Sequence, residues 1–91
     1  MSSSTVLVRY WAAARAAAGV DHDTIEVGDG TTLAAVLDEV RRLRADRPKL
    51  PEVIGVCSIL VGDRPVGATA PHDVPLRAGD TVELLPPFAG G

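Results

Sequence analysis

Hydrophobic positions along the chain change their spacing several times, and each change marks an element. Residues 5–11 (Thr-Val-Leu-Val-Arg-Tyr-Trp) are β-branched and aromatic and predict a strand. Val6, Val8 and Tyr10 fall on one face of it, with Leu7, Arg9 and Trp11 on the other. Ala12 to Ala18 has a strongly helix-forming composition, and Gly19 reads as its C-terminal cap. Residues 23–27 alternate again, with Ile25 and Val27 on one side, and predict a strand antiparallel to the first. Gly28-Asp29-Gly30 is a turn. Over 32–45 the spacing becomes helical: Leu33, Val36, Leu37, Val40 and Leu43 share one face, read as core. Thr31 or Thr32 can cap its start, Asp38 and Arg42 are four apart, and Pro48 stops it.

The second half is more broken. Residues 49–55 predict a helical turn or a loop. Val56 to Val61 is a continuous apolar run, read as a buried strand. Gly62-Asp63 turns the chain, and 64–66 pairs back briefly. Residues 67–80 are loop, with Gly79-Asp80 as a turn, and Thr81 to Leu85 is the last strand. Pro86-Pro87 ends it, because proline cannot donate to a ladder. One long helix crossing a small mixed sheet is an α+β roll. The expected organisation is a disordered 1–4, one folded domain over 5–85, and a C-terminal tail over 86–91.

Bulk composition narrows the function. A chain of 91 residues with 46% hydrophobic and 23% charged residues is one ordinary globular domain. A net charge of -3 argues against nucleic-acid binding. The single cysteine, Cys57, excludes an internal disulfide or a Cys-rich metal site and fits a reducing cytoplasm. No apolar stretch is long enough to span a membrane, and no signal peptide is visible.

Few residues suggest chemistry. His22 and His72 fall in predicted loops with no ligand spacing between them. Asp21, Asp23, Asp38 and Glu39 read as solvated charges, and Cys57 as a small buried hydrophobe. Arg9 and Arg15 are exposed candidates for a partner interface, and Leu60, Val82 and Leu84 are candidates for a docking face of the sheet. No nucleophile–base pair or metal set appears, so a stand-alone enzyme is not expected.

The tail is the exception. Pro86-Pro87 stiffens the exit from the last strand. Phe88 is the only phenylalanine and lies outside every predicted element, as an anchor for a partner's pocket would. Ala89 and Gly90-Gly91 have little or no side chain, so this backbone could thread a narrow channel. The carboxylate of Gly91 is then the one group there that can react, once activated.

Three segments together resemble the MoaD/ThiS family of ubiquitin-like sulfur carriers with a β-grasp fold. They are Arg9 to Gly19, Leu76-Arg77-Ala78-Gly79-Asp80, and Leu85-Pro86-Pro87-Phe88-Ala89-Gly90-Gly91. The proline pair favours the MoaD branch, the small subunit of molybdopterin synthase. Trp11 stands where the family often has phenylalanine and is expected to pack. The resemblance implies a mechanism. An E1-like adenylating enzyme (MoeB-like) uses ATP to adenylate Gly91, and a sulfurtransferase supplies sulfur to form a thiocarboxylate. The tail then enters the large, MoaE-like subunit of a heterotetramer. Sulfur passes there to a cyclic pterin precursor on the way to the molybdenum cofactor. The chain itself would bind no cofactor, and neither nucleic acid nor membrane is an expected partner. Alternatives are a carrier for another sulfur pathway, such as thiazole or cysteine formation, and a ubiquitin-like modifier joined through Gly91 to lysines.

Overall fold

The structure, a computed structural model, describes residues 4–87. Strand β1 (Thr5–Tyr10) leads into helix α1 (Ala12–Ala18) and returns as β2 (His22–Glu26). Helix α2 (Leu33–Leu43) crosses the sheet and is followed by helix α3 (Leu50–Val56). Strand β3 (Ser58–Val61), the two-residue β4 (Arg64–Pro65) and β5 (Thr81–Leu85) complete the sheet. A 3-10 turn, Pro71–Asp73, lies within the long β4–β5 connection.

The five strands are ordered β2-β1-β5-β3-β4. β1 is antiparallel to β2 and parallel to β5, and β3 is antiparallel to both β5 and β4. This is the mixed sheet that the order of elements predicts, in the β-grasp arrangement that the resemblance implies. The first and last strands lie side by side and point the same way. The C-terminal ends of β1 and β5 therefore share one pole of the molecule, and Trp11 N–H donates to Leu84 O there at 3.2 Å.

Alternation decides which residues form the core. Val6, Val8 and Tyr10 from β1, Ile25 from β2, Val82 and Leu84 from β5 and Val61 from β3 are buried on the helix-facing side. Leu33, Val36, Leu37 and Val40 of α2, Ala14 and Ala18 of α1, and Leu50 and Ile54 of α3 close over them. Each large apolar side chain removed from water here contributes about 1.5–3 kcal/mol.

Four sequence expectations change in detail. Leu43 is 45% exposed, because α2 reaches the edge of the core in its last turn. Asp38 pairs with Arg41 and Glu39 with Arg42, three residues apart rather than four. The apolar run from Val56 is divided: Val56 ends α3 and is 62% exposed, and the strand begins only at Ser58. His22 is the first residue of β2 rather than part of a loop. The caps hold as read. Thr32 Oγ1 accepts from Ala35 N–H at 3.3 Å, and Gly19 closes α1 at φ +81°, where a side chain would be strained.

Candidate functional site

The site is the pole at which β5 ends, together with the outer face of the sheet leading to it. Leu85 is the last ladder residue and is opposed by Ser58. Pro86 is half-buried and Pro87 exposed, and neither belongs to a strand. The proposed anchor Phe88, with Ala89, Gly90 and Gly91, lies outside the described residues.

The outer face holds the residues out of step with the core: Leu7 and Arg9 from β1, Glu83 and Leu85 from β5, and Leu60 from β3. Leu7, Leu60 and Leu85 are each only half-covered. At the pole this face carries an ordered cluster. The Arg9 guanidinium lies 4.6 Å from the centre of the Trp11 ring. Trp11 Nε1–H donates to Glu83 Oε1 at 3.2 Å, and Arg9 Nη1 stands 3.9 Å from the same oxygen. Trp11 is 39% exposed, so the aromatic expected to pack inside presents itself to solvent instead. Ala12 takes φ +49° at the corner between β1 and α1. That conformation costs about 1–2 kcal/mol for a residue with a Cβ.

Of the docking residues expected from the sequence, the structure leaves Arg9 and Leu60 on the outer face and Arg15 exposed on α1. Val82 and Leu84 are fully buried against the helices and cannot meet a partner. The reason is register: Val82 opposes Val8 and Val61, and Leu84 opposes Tyr10 and Ile59, all on the helix side. Glu83 and Leu85, between and beside them, take the outer positions. Trp11 and Glu83 were missed by the sequence reading. An arginine and a carboxylate at matching outward positions of two strands that pair in parallel, with the indole just past the end of the first, was the signal, and it needs the pairing to be seen.

Behind the pole, a polar tie joins sheet to helix. Tyr10 Oη–H donates to Asp23 Oδ2 at 2.7 Å, and Arg44, the C-cap of α2, donates to both Asp23 oxygens, at 3.0 Å from Nε. Burial tends to raise the Asp23 carboxyl. The hydrogen bonds from Arg44 and Tyr10, with the charge of Arg44, outweigh it and hold the group below the ordinary carboxylate range. The Tyr10 hydroxyl is pushed up, first by burial and then by Asp23. Burial also raises the half-buried Cys57 thiol, which makes it a poor nucleophile. Among the described residues no group of three or more His, Cys, Asp or Glu is placed to hold a metal, and no helix is long and apolar enough to cross a membrane.

Among the described residues the arrangement is a face with an ordered polar cluster beside the end of β5. The chain is 34% identical over 87 residues to the molybdopterin synthase sulfur carrier subunit of Chlamydomonas reinhardtii, covering 94% of this chain and 98% of that one. The solved structure of a protein described as molybdopterin converting factor subunit 1, from Pyrococcus furiosus, superposes with a TM-score of 0.73 at 28% identity. That match covers 93% of this chain and 99% of the other. A complex of subunits 1 and 2 of the molybdopterin-converting factor from Helicobacter pylori contains a chain that matches at a TM-score of 0.59 and 29% identity, covering 96% and 99%. Residues 8–91 match the model of the ThiS family, and the chain belongs to that family, as a ubiquitin-like β-grasp protein of the molybdopterin-synthase sulfur-carrier kind.

Proposed function

We propose that this chain is the sulfur-carrying small subunit of a molybdopterin synthase, and that the carboxylate of Gly91 is the group that carries the sulfur. The carrying observation is the end of β5: Leu85 closes the ladder and Pro86-Pro87 ends it, and in the sequence the glycine pair comes four residues after Pro86. A carboxylate is a poor acyl donor, so it must first be adenylated by an E1-like enzyme at the expense of ATP. A sulfur nucleophile supplied by a sulfurtransferase then displaces AMP, leaving a thiocarboxylate. Both steps belong to partners, and the chain contributes a substrate terminus rather than catalytic groups.

The likeness to a subunit that was solved with its companion supports a large-subunit partner for this chain also. The outer sheet face is the natural seat for it. Leu7, Leu60 and Leu85 provide apolar contact, and Arg9, Trp11 and Glu83 provide an ordered polar centre at the root of the tail. An aromatic and an arginine held in place before binding lose little freedom on docking. Arg15 stands at the same pole on α1 and would border that seat.

Intact mass after incubation with ATP, an E1-like activator and a sulfur source tests the reading. Exchange of one carboxylate oxygen for sulfur, absent when Gly91 is deleted, is expected. Stable conjugates to lysines of other proteins would instead identify a modifier. If an activator that works on another carrier produces neither, the terminus is inert.

A further inference from the structure

The two edges of the sheet differ. At one, β4 is two residues long and contains Pro65, so it offers little for another strand to join. At the other, β2 (His22–Glu26) holds no proline, glycine or lysine and pairs with β1 in unbroken register. That ladder fixes which way its backbone points. Tyr10 N–H donates to Asp21 O, and Val27 N–H to Ser4 O, both at 2.9 Å. Residues 21, 23, 25 and 27 therefore turn their N–H and C=O groups toward β1. Those of His22, Thr24 and Glu26 point the other way, along the free edge, and all three residues are exposed. Among the described residues none of these backbone groups has a partner.

Such a row of unpaired groups is a template for another strand, and the side chains select which one. Asp21 is bonded to His22 Nδ1 at 2.6 Å, and Asp23 is tied to Tyr10 and Arg44. Glu26 is the one acid of this segment with no side-chain partner among the described residues. Across the outer face, Glu83, Arg9 and His22 stand opposite one another in turn on β5, β1 and β2. That row starts acidic and ends basic at the free edge. A second β2 laid antiparallel, with Thr24 opposite Thr24, brings its Glu26 opposite His22, and symmetry repeats the pair. Every outward N–H and C=O of both strands is matched in this register, whereas a shift by two residues leaves groups unpaired. Beside the edge runs a groove bordered on α2 by Ala35, Glu39 and Leu43. An added strand closes its mouth and covers part of Leu43, which its own core leaves 45% exposed.

We propose that the β2 edge receives a second copy of this chain, paired antiparallel about a two-fold axis at Thr24, so that two five-stranded sheets join into one. The contact runs edge to edge. It covers neither the outer face nor the end of β5, and it does not rest on the sulfur-carrier reading. Interfaces this small are weak, so the dimer should build up between about 10 μM and 1 mM protein.

Sedimentation velocity over that range, with amide exchange followed by NMR, tests it on the full chain. Exchange at His22, Thr24 and Glu26 should slow as concentration rises, while Asp23 and Ile25, already paired with β1, should show no such dependence. Thr24→Lys, which sets like charges against each other at the axis, should weaken association by about tenfold or more without lowering the Tm of the dilute protein. His22→Glu should weaken it similarly, and adding Glu26→Lys to that variant should restore it to within about threefold. A chain that stays monomeric at 1 mM, or a dimer indifferent to Thr24→Lys, would overturn the proposal. So would a dimer lost in Trp11→Ala, which would place the contact on the outer face, or a charge exchange that restores nothing, which would exclude this register.

Discussion

The two faces of the central sheet are built from the same strands and answer to different demands. On the helix side of β1 and β5, Val6, Val8, Tyr10, Val82 and Leu84 are all buried. One residue along, Leu7, Arg9, Glu83 and Leu85 face outward and remain at least partly exposed. A one-residue change of register would exchange the two sets. The inner face is therefore fixed by packing, and the outer face is free to be chosen for something else. The lesson is that stability and recognition are separated here by a single residue step, and substitution should reveal that separation.

The largest expected effect is on the inner face. Leu84→Ala removes a fully buried side chain beside Tyr10 and Ile59, and such truncations cost about 2–5 kcal/mol. In a domain of this size each kcal/mol lowers Tm by about 4–8 °C. Thermal unfolding followed by circular dichroism measures it. A Tm unchanged by this variant would show that Leu84 is not core.

Next in size is the tie behind the sheet. Asp23→Ala leaves the Tyr10 hydroxyl and the Arg44 guanidinium without their shared acceptor, with an expected loss of about 1–3 kcal/mol. The same group gives a pH signature. Its folded carboxyl titrates below the ordinary range, so its contribution is complete above about pH 4–5, near and above the unfolded carboxylate value. It is lost as pH falls through the lower folded value. Urea midpoints of Asp23→Asn should fall less steeply with acid than those of the parent chain. Parallel slopes would mean that Asp23 is not held in its charged form by folding.

Trp11→Ala should do less to the fold and more to recognition. The ring is 39% exposed and is held by one side-chain hydrogen bond and the Arg9 stack, so stability should fall by about 1 kcal/mol or less. Affinity for the large subunit should fall by more than tenfold if Trp11 is a docking anchor, since anchors of this kind contribute about 2 kcal/mol or more. Calorimetric titration against that subunit decides it. A large drop in Tm with unchanged affinity would place Trp11 with the inner face.

Much of this division could be read from the chain. The alternation of 5–10, the helical spacing of Leu33 to Val40 and the proline pair after Leu85 each act through nearest neighbours, and all appear as expected. What could not be read depends on which strands become neighbours. Val82 and Leu84 looked as suitable for an outer face as for an inner one until β5 was set between β1 and β3. Trp11 looked like packing because aromatic residues usually are, and its exposure follows from the turn at Ala12 and the partner found in Glu83. Val56 lies in an apolar run that local pattern assigns to a strand, and α3 claims it because Leu50 and Ile54 already anchor that helix in the core.

The smallest expected effect belongs to the charge at the centre of the outer face. Glu83→Gln keeps an acceptor for the Trp11 indole and removes only the ion pair with Arg9. With Arg9 46% exposed and the closest approach at 3.9 Å, that pair should contribute about 0–0.5 kcal/mol. The Tm should therefore hold, and the Trp11 fluorescence spectrum with it, because the hydrogen bond survives. The loss should appear in partner association instead. Removing the charge leaves Arg9 uncompensated, so the on-rate for the large subunit and its dependence on salt should change while the off-rate stays near its original value. A change confined to the off-rate would place Glu83 in direct contact with the partner. Loss of Tm without any kinetic change would show that even the outer face of this sheet is spent on stability.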